Sequence, residues 1–350
     1  MMKQSIARKI VLIIISVFLL SLITFFMARL APGDPLVSYY GDRVERMSME
    51  ERQHAIERLG LDGPILEQYV DWLKAALHGD FGISFKYKQD VLTVISGRLM
   101  NTLLLGGIGF VLTFAFALLL AVVCAYKENT LLDRTICKIG TITSCIPEFW
   151  LSLVLILLFG VTWHLLPSSG AYALGMSHSI ASRISHLILP LSVVVLSHLW
   201  YYAYMLRNKL LEETRQEYVL LSRAKGLTRR QVMWKHCVKN LMPTMIAIMA
   251  ISINHILGGT YIIEMVFSYP GIGTLSFESA KYHDYNMLMV LVIITGIIVI
   301  VGNILGQSIS ERIDFRMKAS GGVEDNHGNG PDADAGLPGG HPAKEVSNDA

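Results

Sequence analysis

Six long apolar runs divide this sequence. They cover residues 10–28, 102–126, 139–166, 187–206, 244–265 and 287–309. At about 1.5 Å of rise per helical residue, runs of about 20 residues can cross the roughly 30 Å of hydrocarbon in a bilayer. The pattern predicts an all-α, polytopic membrane protein with six transmembrane helices.

The first apolar run could also belong to a secretory signal peptide, because Lys3, Arg8 and Lys9 precede it. Signal cores hold roughly 7–15 apolar residues and end at a small-residue cleavage site. This run is longer, and no A-x-A site follows it. We therefore expect residues 1–30 to form a short N-terminus and a first spanning helix.

Residues 31–99 form a polar insert whose periodicity predicts a small helical subdomain on the outer side of the membrane. Ser48 and Glu51 have the spacing of a capping box, and Gly60 is placed to end the helix that they begin. A second helix is expected from Pro64 to Gly79, where apolar residues recur at helical spacing. A disordered loop would not keep this periodicity or so many aromatic residues.

The segment 207–243 is strongly basic, and loops rich in Lys and Arg stay on the cytoplasmic side of a membrane. Gly226 divides it into two expected helical pieces. Each piece carries a short apolar stripe, which suits docking against a cytoplasmic partner. The stripes comprise Tyr218, Leu220 and Leu221, then Val232, Met233 and Trp234. The nine basic residues are Arg207, Lys209, Arg215, Arg223, Lys225, Arg229, Arg230, Lys235 and Lys239, against Glu212, Glu213 and Glu217.

The Lys and Arg content of the other links between apolar runs fits a single orientation of the chain in the membrane. Residues 127–138 and the end of the last run also carry Lys and Arg, whereas the links 167–186 and 267–286 carry few. Both termini are therefore expected in the cytoplasm. Residues 319–350 lack aromatic residues and are rich in Gly, Pro and acids, which predicts a disordered cytoplasmic tail after a transmembrane core at 100–318.

Composition excludes an ordinary soluble fold, since 52% of residues are hydrophobic and 17% are charged. The four cysteines form no CxxC pair and no metal-ligand spacing. The sequence holds no GxxxxGK[ST] motif for ATP phosphates and no HExxH or Ser/His/Asp pattern, so we expect neither enzymatic activity nor a bound cofactor or metal.

Few strongly polar residues fall at membrane depth, where such groups mark a transport path or a contact between helices. His255 precedes Gly258 and Gly259 by about one helical turn, so it either faces a central cavity or bonds a neighbouring helix. Glu148 and Glu264 lie near span ends or breaks, where a backbone cap explains them as well as transport does. The full set is Glu148, His198, Asn254, His255 and Glu264.

Three blocks resemble the permease subunits of ATP-binding-cassette importers for peptides and nickel. The blocks are APGDP with LGLDGPILEQYVDWLKAALHGDFGISF, then EYVLLSRAKGL with Asn240 and Pro243, then Glu264, Phe267, Pro270, Gly271, Gly273, Asp284 and Tyr285. The chain departs from the broader Glu-Ala-Ala signature, because Leu220, Leu221 and Ser222 stand in its place.

The resemblance implies a coupling helix between the fourth and fifth spans that docks on an ATPase subunit, and an outer gate near the third block. The coupling residues would be Glu217, Tyr218, Leu221, Arg223, Ala224, Lys225 and Gly226, and the path or gate residues His255, Gly258, Gly259, Glu264, Pro270, Gly271 and Gly273. It also implies a prokaryotic cell membrane, a second homologous permease, two ATPases that hold ATP and Mg, and an extracytoplasmic substrate-binding protein. Nucleic acid is not an expected partner.

Three alternatives stay open. The resembling permeases include both peptide and nickel importers, and the residues do not separate these cargoes; short peptides are the commoner cargo. A membrane scaffold or signalling protein would explain the basic segment but not the outer insert together with the Pro-Gly-x-Gly block. A secondary transporter is disfavoured, because the sequence shows neither inverted repeats nor coupled acids in its spans.

Overall fold

A computed structural model describes residues 2–30 and 34–313 of the chain, and this part is helical, with one isolated β-bridge between Ile83 and Asp90. The expected tail at 319–350 lies outside the described residues. The helices are α1 Met2–Leu30, α2 Pro35–Tyr40, α3 Met49–Arg58, α4 Ile65–Leu77, α5 Val91–Tyr126, α6 Leu131–Ser144, α7 Glu148–Leu155, α8 Ile180–Thr214, α9 Glu217–Ala224, α10 Arg229–Val232, α11 Val238–Val266, α12 Ile272–Lys281 and α13 Tyr285–Ile313.

Five single helices in the described part are long and apolar enough to cross a membrane. They are Ile10–Leu30, Val91–Tyr126, Ile180–Thr214, Arg229–Ile253 and Tyr285–Ile304. A sixth span exists if the bent pair Leu131–Ser144 and Glu148–Thr162 crosses as one unit. The prediction of several membrane-spanning helices is therefore confirmed, with five or six spans.

The third predicted span, residues 139–166, is not one straight helix. Helix α6 begins earlier, at Leu131, where the Thr130 side chain caps it. The chain then bends by 100° before α7. Pro147 lies at this bend, as the N-cap of α7. A proline has no amide hydrogen to donate and disfavours helical geometry in the residue before it, so the helix cannot continue through this point.

Both helices predicted for the polar insert are present. Ser48 and Glu51 form the reciprocal capping box of α3, and Gly60 follows it with φ +64°. Helix α4 ends before Gly79, which has φ +85°. Tyr69 of α4 lies against α1, where its hydroxyl is 2.9 Å from the Ser21 hydroxyl. Packing on the first span therefore fixes the insert in place.

Helix α5 begins at Val91, eleven residues before the apolar run that predicted it. Its 36 residues span about 54 Å, so one helix runs from the insert to the opposite end of the bundle. At that far end the guanidinium of Arg229 lies 4.7 Å from the centre of the Tyr126 ring. Because α5 is continuous, it connects the insert directly to the segment around α9.

The most extensive helix packing in the described part of the chain is between α5 and α8. Phe114 and Tyr202 pack with ring centres 4.7 Å apart. Gly109 lets the helices approach, because a Cβ there would lie 2.6 Å from Cγ1 of Val194. Small residues serve this purpose in membranes, where van der Waals packing rather than the exclusion of water holds helices together.

We expect Gly109→Val to destabilise the bundle by about 1–3 kcal/mol, because the larger side chain forces α5 and α8 apart. Gly107→Val is the matched control, since a Cβ at that position meets nothing within 4 Å. Thermal unfolding of the two purified variants in detergent measures the difference. Equal stabilities would contradict the close approach of the two helices.

Candidate functional sites of the membrane domain

Helix α9 ends in a glycine turn of the kind expected from the sequence. Gly226 has φ +85°, which confirms the left-handed conformation. The Leu227 amide donates to the Ser222 carbonyl at 3.2 Å, and the Gly226 amide donates to the Arg223 carbonyl at 2.9 Å. This pair of bonds is the Schellman motif, which satisfies the last carbonyls of a helix and fixes its end.

The second half of the basic segment differs from the prediction of a separate helical piece. Thr228 and Gln231 form a reciprocal capping box that begins α10. The chain then passes through a π-helical turn, Met233–Cys237, directly into α11. Pro243 lies inside α11. The fifth span and the segment after Gly226 are thus one helical rod, and Pro243 does not end it.

The two faces of α9 have different surroundings. Val219 and Ser222 are buried against the bundle. On the other face Leu220 is 67% exposed and Leu221 is 58% exposed, and Glu217 and Ala224 beside them are also exposed. An exposed apolar stripe on a short helix suits docking into a groove on another protein.

Tyr218, expected among the docking residues, is half-buried and faces the bundle instead. Its hydroxyl donates to Oε2 of Glu213 at 2.6 Å, which ties α9 to the end of α8. Burial, together with the Glu213 carboxylate, raises the pKa of Tyr218 above its usual value. The hydroxyl therefore stays protonated and keeps donating. The remaining expected residues, Arg223, Lys225 and Gly226, are exposed.

A buried ion pair lies beneath this surface. Nε and an Nη atom of Arg207 donate to the two carboxylate oxygens of Asp133, at 2.8 and 2.7 Å. The Asn129 amide donates to the same carboxylate at 3.0 Å. Because both oxygens are bonded, the pair holds α6 against α8 without leaving an uncompensated charge.

The third block of the sequence folds around a second buried carboxylate. Glu264, near the end of α11, is fully buried. Its Oε1 accepts from the Thr102 hydroxyl at 2.6 Å. Its Oε2 accepts from the amides of Gly273 and Thr274, at 2.8 and 3.2 Å, in the first turn of α12. The carboxylate therefore caps a helix N-terminus, where negative charge is favoured.

The two glycines of the Pro-Gly-x-Gly motif make room for this carboxylate. A Cβ at Gly271 would lie 2.2 Å from Cδ of Glu264, and one at Gly273 would lie 2.7 Å from its Oε2. The Asn101 side chain donates to the Pro270 carbonyl at 2.8 Å and completes the enclosure. We call Asn101, Thr102, Glu264 and residues 270–274 the Glu264 network. Its members explain why an acid and two glycines occur at this spacing.

The insert is bonded to the same end of the bundle. Nζ of Lys86 lies 2.8 Å from Oε2 of Glu278 in α12, and the Tyr87 hydroxyl donates to the same oxygen. Burial disfavours the charged carboxylate, but the bonds from Lys86 and Tyr87 outweigh it and hold the pKa of Glu278 below its usual value. The Ser84 hydroxyl donates to Asp284, whose other oxygen accepts from the Met287 amide and caps α13.

The remaining predicted path residues fall in two places. Gly259 lies against the Glu148–His198 pair, in which Nε2 of His198 is 3.7 Å from Oε1 of Glu148. His255 and Gly258 are exposed on the surface of α11. They belong neither to the Glu264 network nor to the Glu148–His198 pair. The side chain of Asn254 lies outside the described atoms. The described residues contain no cluster of three or more metal-ligating side chains.

Sequence reasoning missed the partners of these residues. Thr102 is 162 positions from Glu264, and Asp133 is 74 positions from Arg207. Asp133, an acid inside a basic link, was an available indication of an ion pair at that end. Nothing local to Thr102 marks it as a partner for a carboxylate.

Because the clash at Gly271 is with one side chain, removal of that side chain should relieve it. We expect Gly271→Ala to lower the free energy of unfolding by about 1–3 kcal/mol in the wild-type background, and by less than about 0.5 kcal/mol in Glu264→Ala. Thermal unfolding of the four proteins of the cycle measures the coupling. Gly63→Ala, whose Cβ would approach nothing closer than 3.8 Å, is the control. An equal loss of stability from Gly271→Ala in both backgrounds would contradict the contact between Gly271 and the Glu264 side chain.

The chain matches family models along most of its length. The model described as "Binding-protein-dependent transport system inner membrane component" matches residues 117–319, and a model for the N-terminal part of such membrane components matches residues 1–106. A solved structure titled "Inward facing conformations of the MetNI methionine ABC transporter" shares the fold, with a TM-score of 0.53 and 18% identity. The match covers 64% of this chain and 97% of that one.

Curated relatives extend over nearly the whole chain. The oligopeptide transport system permease protein AppB of Bacillus subtilis is 31% identical over 300 residues, which are 85% of this chain and 94% of that protein. The dipeptide transport system permease protein DppB of Escherichia coli is 28% identical, over 87% of this chain and 95% of that protein. These matches confirm the resemblance found in the sequence. The chain belongs to the family of binding-protein-dependent transport system inner membrane components.

Proposed function

We propose that this chain is the permease subunit of an ATP-driven importer of dipeptides and oligopeptides in a prokaryotic cell membrane. The observation that carries the proposal is the exposed Leu220–Leu221 stripe on a helix whose other face is tied to the bundle. Family membership and the names of the peptide permeases AppB and DppB support the transport role and the cargo.

The partners follow from this role. The chain carries no phosphate-binding motif for ATP, so ATP and Mg are assigned to two ATPase subunits, and this chain holds no cofactor of its own. A substrate-binding protein delivers cargo to the end of the bundle that bears the insert and α12. The excess of Lys and Arg around α9 supports a cytoplasmic position for that helix and for both termini.

Coupling proceeds through α9 as a rigid connection. The stripe of Leu220 and Leu221 docks in a groove of the ATPase, while Val219 and the Tyr218–Glu213 bond transmit its displacement to α8. The Schellman turn at Gly226 passes the same displacement to the continuous rod of α10 and α11. Movement of packed elements as units is a common means of switching between two conformations.

The transport path is shared with a second, homologous permease. Exposed positions on α11 recur at helical spacing and make one continuous face that residues 2–30 and 34–313 leave uncovered. A histidine and a glycine on that face are poorly suited to lipid, so it is assigned to the partner and the path. The face comprises Ile251, His255, Gly258, Ile262 and Met265.

Uptake of labelled substrates is compared between cells that lack the gene and the same cells after the gene has been restored. This assay tests both the cargo and the coupling. The restored gene should return uptake of labelled dipeptides and oligopeptides but not of labelled nickel, free or chelated. Restored uptake of nickel alone would replace the peptide assignment and make His255 the first residue to substitute.

In the same assay, Gly226→Asp should reduce peptide uptake by about tenfold or more at normal abundance. A side chain in the left-handed conformation costs about 1–2 kcal/mol and displaces the end of α9. Gly79→Asp is the matched control, because Gly79 also has φ +85° and open space around its Cβ position but lies in the insert. Equal uptake by both variants would contradict the coupling role.

A further inference from the structure

One carboxylate inside the bundle lacks the bonds that the others have. Glu148 begins α7, just after the 100° bend, and its Oε2 is buried without a hydrogen-bond partner. Among the described residues, its Oε1 pairs with Nε2 of His198 at 3.7 Å, which is longer than a hydrogen bond. A carboxylate at membrane depth without bonds is costly, and such groups are associated with function.

The neighbouring histidine does not supply the missing donor in its neutral form. Nδ1 of His198 lies 3.0 Å from the Val194 carbonyl oxygen. A carbonyl only accepts, so Nδ1 carries the hydrogen. In the neutral ring Nε2 is then an acceptor, and it faces Oε1 of Glu148. With His198 neutral and Glu148 ionised, two acceptors face each other, and a cation with several donors can bond to both. Tyr202 stacks beside the ring, with centres 6.4 Å apart, and holds its plane.

Gly259 forms the third side of this position. A Cβ there would lie 3.1 Å from Oε1 of Glu148 and 3.2 Å from Cε1 of His198. The next residue along α11, Gly258, is exposed and belongs to the face assigned above to the transport path. The Glu148 side chain is 21% exposed, so most of it is enclosed but part of it is accessible.

We propose that Glu148, His198 and Gly259 form a subsite that receives the positively charged amino group of the peptide cargo during its passage. This inference rests on the proposed function. An ammonium group carries three donors, enough to bond both oxygens of Glu148 and Nε2 of His198 together. Charge-assisted bonds of this kind are stronger than neutral ones. Every peptide with a free amino terminus carries this group, so the subsite serves cargoes of different sequence.

A photoreactive cargo tests the subsite directly. The probe is a dipeptide with photo-leucine as its first residue, which keeps a free amino group beside the diazirine. It is delivered by the loaded substrate-binding protein to the complete reconstituted transporter, with and without vanadate-trapped nucleotide. After illumination, mass spectrometry should place the label within one helical turn of Glu148, His198 or Gly259.

Glu148→Gln should lower that labelling by about tenfold or more, because the amide has no charge for the ammonium group. Glu148→Asp should retain part of it. Glu212→Gln removes an exposed carboxylate elsewhere and should leave it unchanged. Label confined to other positions in the wild-type transporter, or equal labelling in Glu148→Gln, would overturn the subsite.

The labelling experiment separates this inference from the function on which it rests. If the wild-type transporter takes up the dipeptide but is labelled elsewhere, the subsite is wrong and the peptide importer stands. If it takes up no peptide at all, both are wrong. Because mapping in the wild-type protein decides the matter alone, poor folding of a Glu148 variant does not leave the proposal untested.

Discussion

A carboxylate inside a bundle of apolar helices has to be bonded at its oxygens, and this requirement shapes both ends of the molecule. At one end Asp133 is bonded by Arg207 and by a backbone amide. At the other, Glu264 is bonded by Thr102 and by the first turn of α12. Glu148, between α7 and the other helices, is the exception. The two satisfied acids fix helices to one another, and the unsatisfied one is the candidate for a ligand.

The two fixed ends are connected by helices that run without a break. Helix α5 carries Thr102 near its start and Tyr126 at its end, where Arg229 contacts it. Helix α11 carries Glu264 near its end and follows directly from the segment after Gly226. In the proposed coupling, displacement of α9 acts on two rods that both reach the Glu264 network. This arrangement gives a physical route from a docking surface at one end to the α12 region at the other.

Local sequence patterns predicted the features that depend on neighbouring residues. The capping box at Ser48, the left-handed Gly226 and most spans are of this kind, because a few adjacent side chains decide them. Glu148 was placed near a break in a span, but hydropathy did not reveal that the chain bends there by 100°, since both arms are apolar and Pro147 separates them. Hydropathy also did not show that α10 continues into α11, because the basic residues there interrupt the apolar pattern without ending the helix.

The parts of the sites that could not be predicted are contacts between distant residues. Glu264 was expected to cap a backbone or to lie on the path, and it caps α12, but its partner Thr102 is far away in the chain. Glu148 and His198 were each recognised as unusual in a membrane, yet nothing in the sequence paired them. Tyr218 was placed on the docking surface because its spacing allowed it, whereas the Glu213 carboxylate holds it against the bundle. Tertiary packing decides each of these cases.

The most direct test of the account is ATP hydrolysis by the complete transporter reconstituted in lipid nanodiscs, measured with empty and with peptide-loaded substrate-binding protein. A transporter whose permease couples cargo to the ATPases should hydrolyse ATP several times faster with the loaded protein. A membrane scaffold that only binds partners would show the same rate with both, and that result would contradict the account.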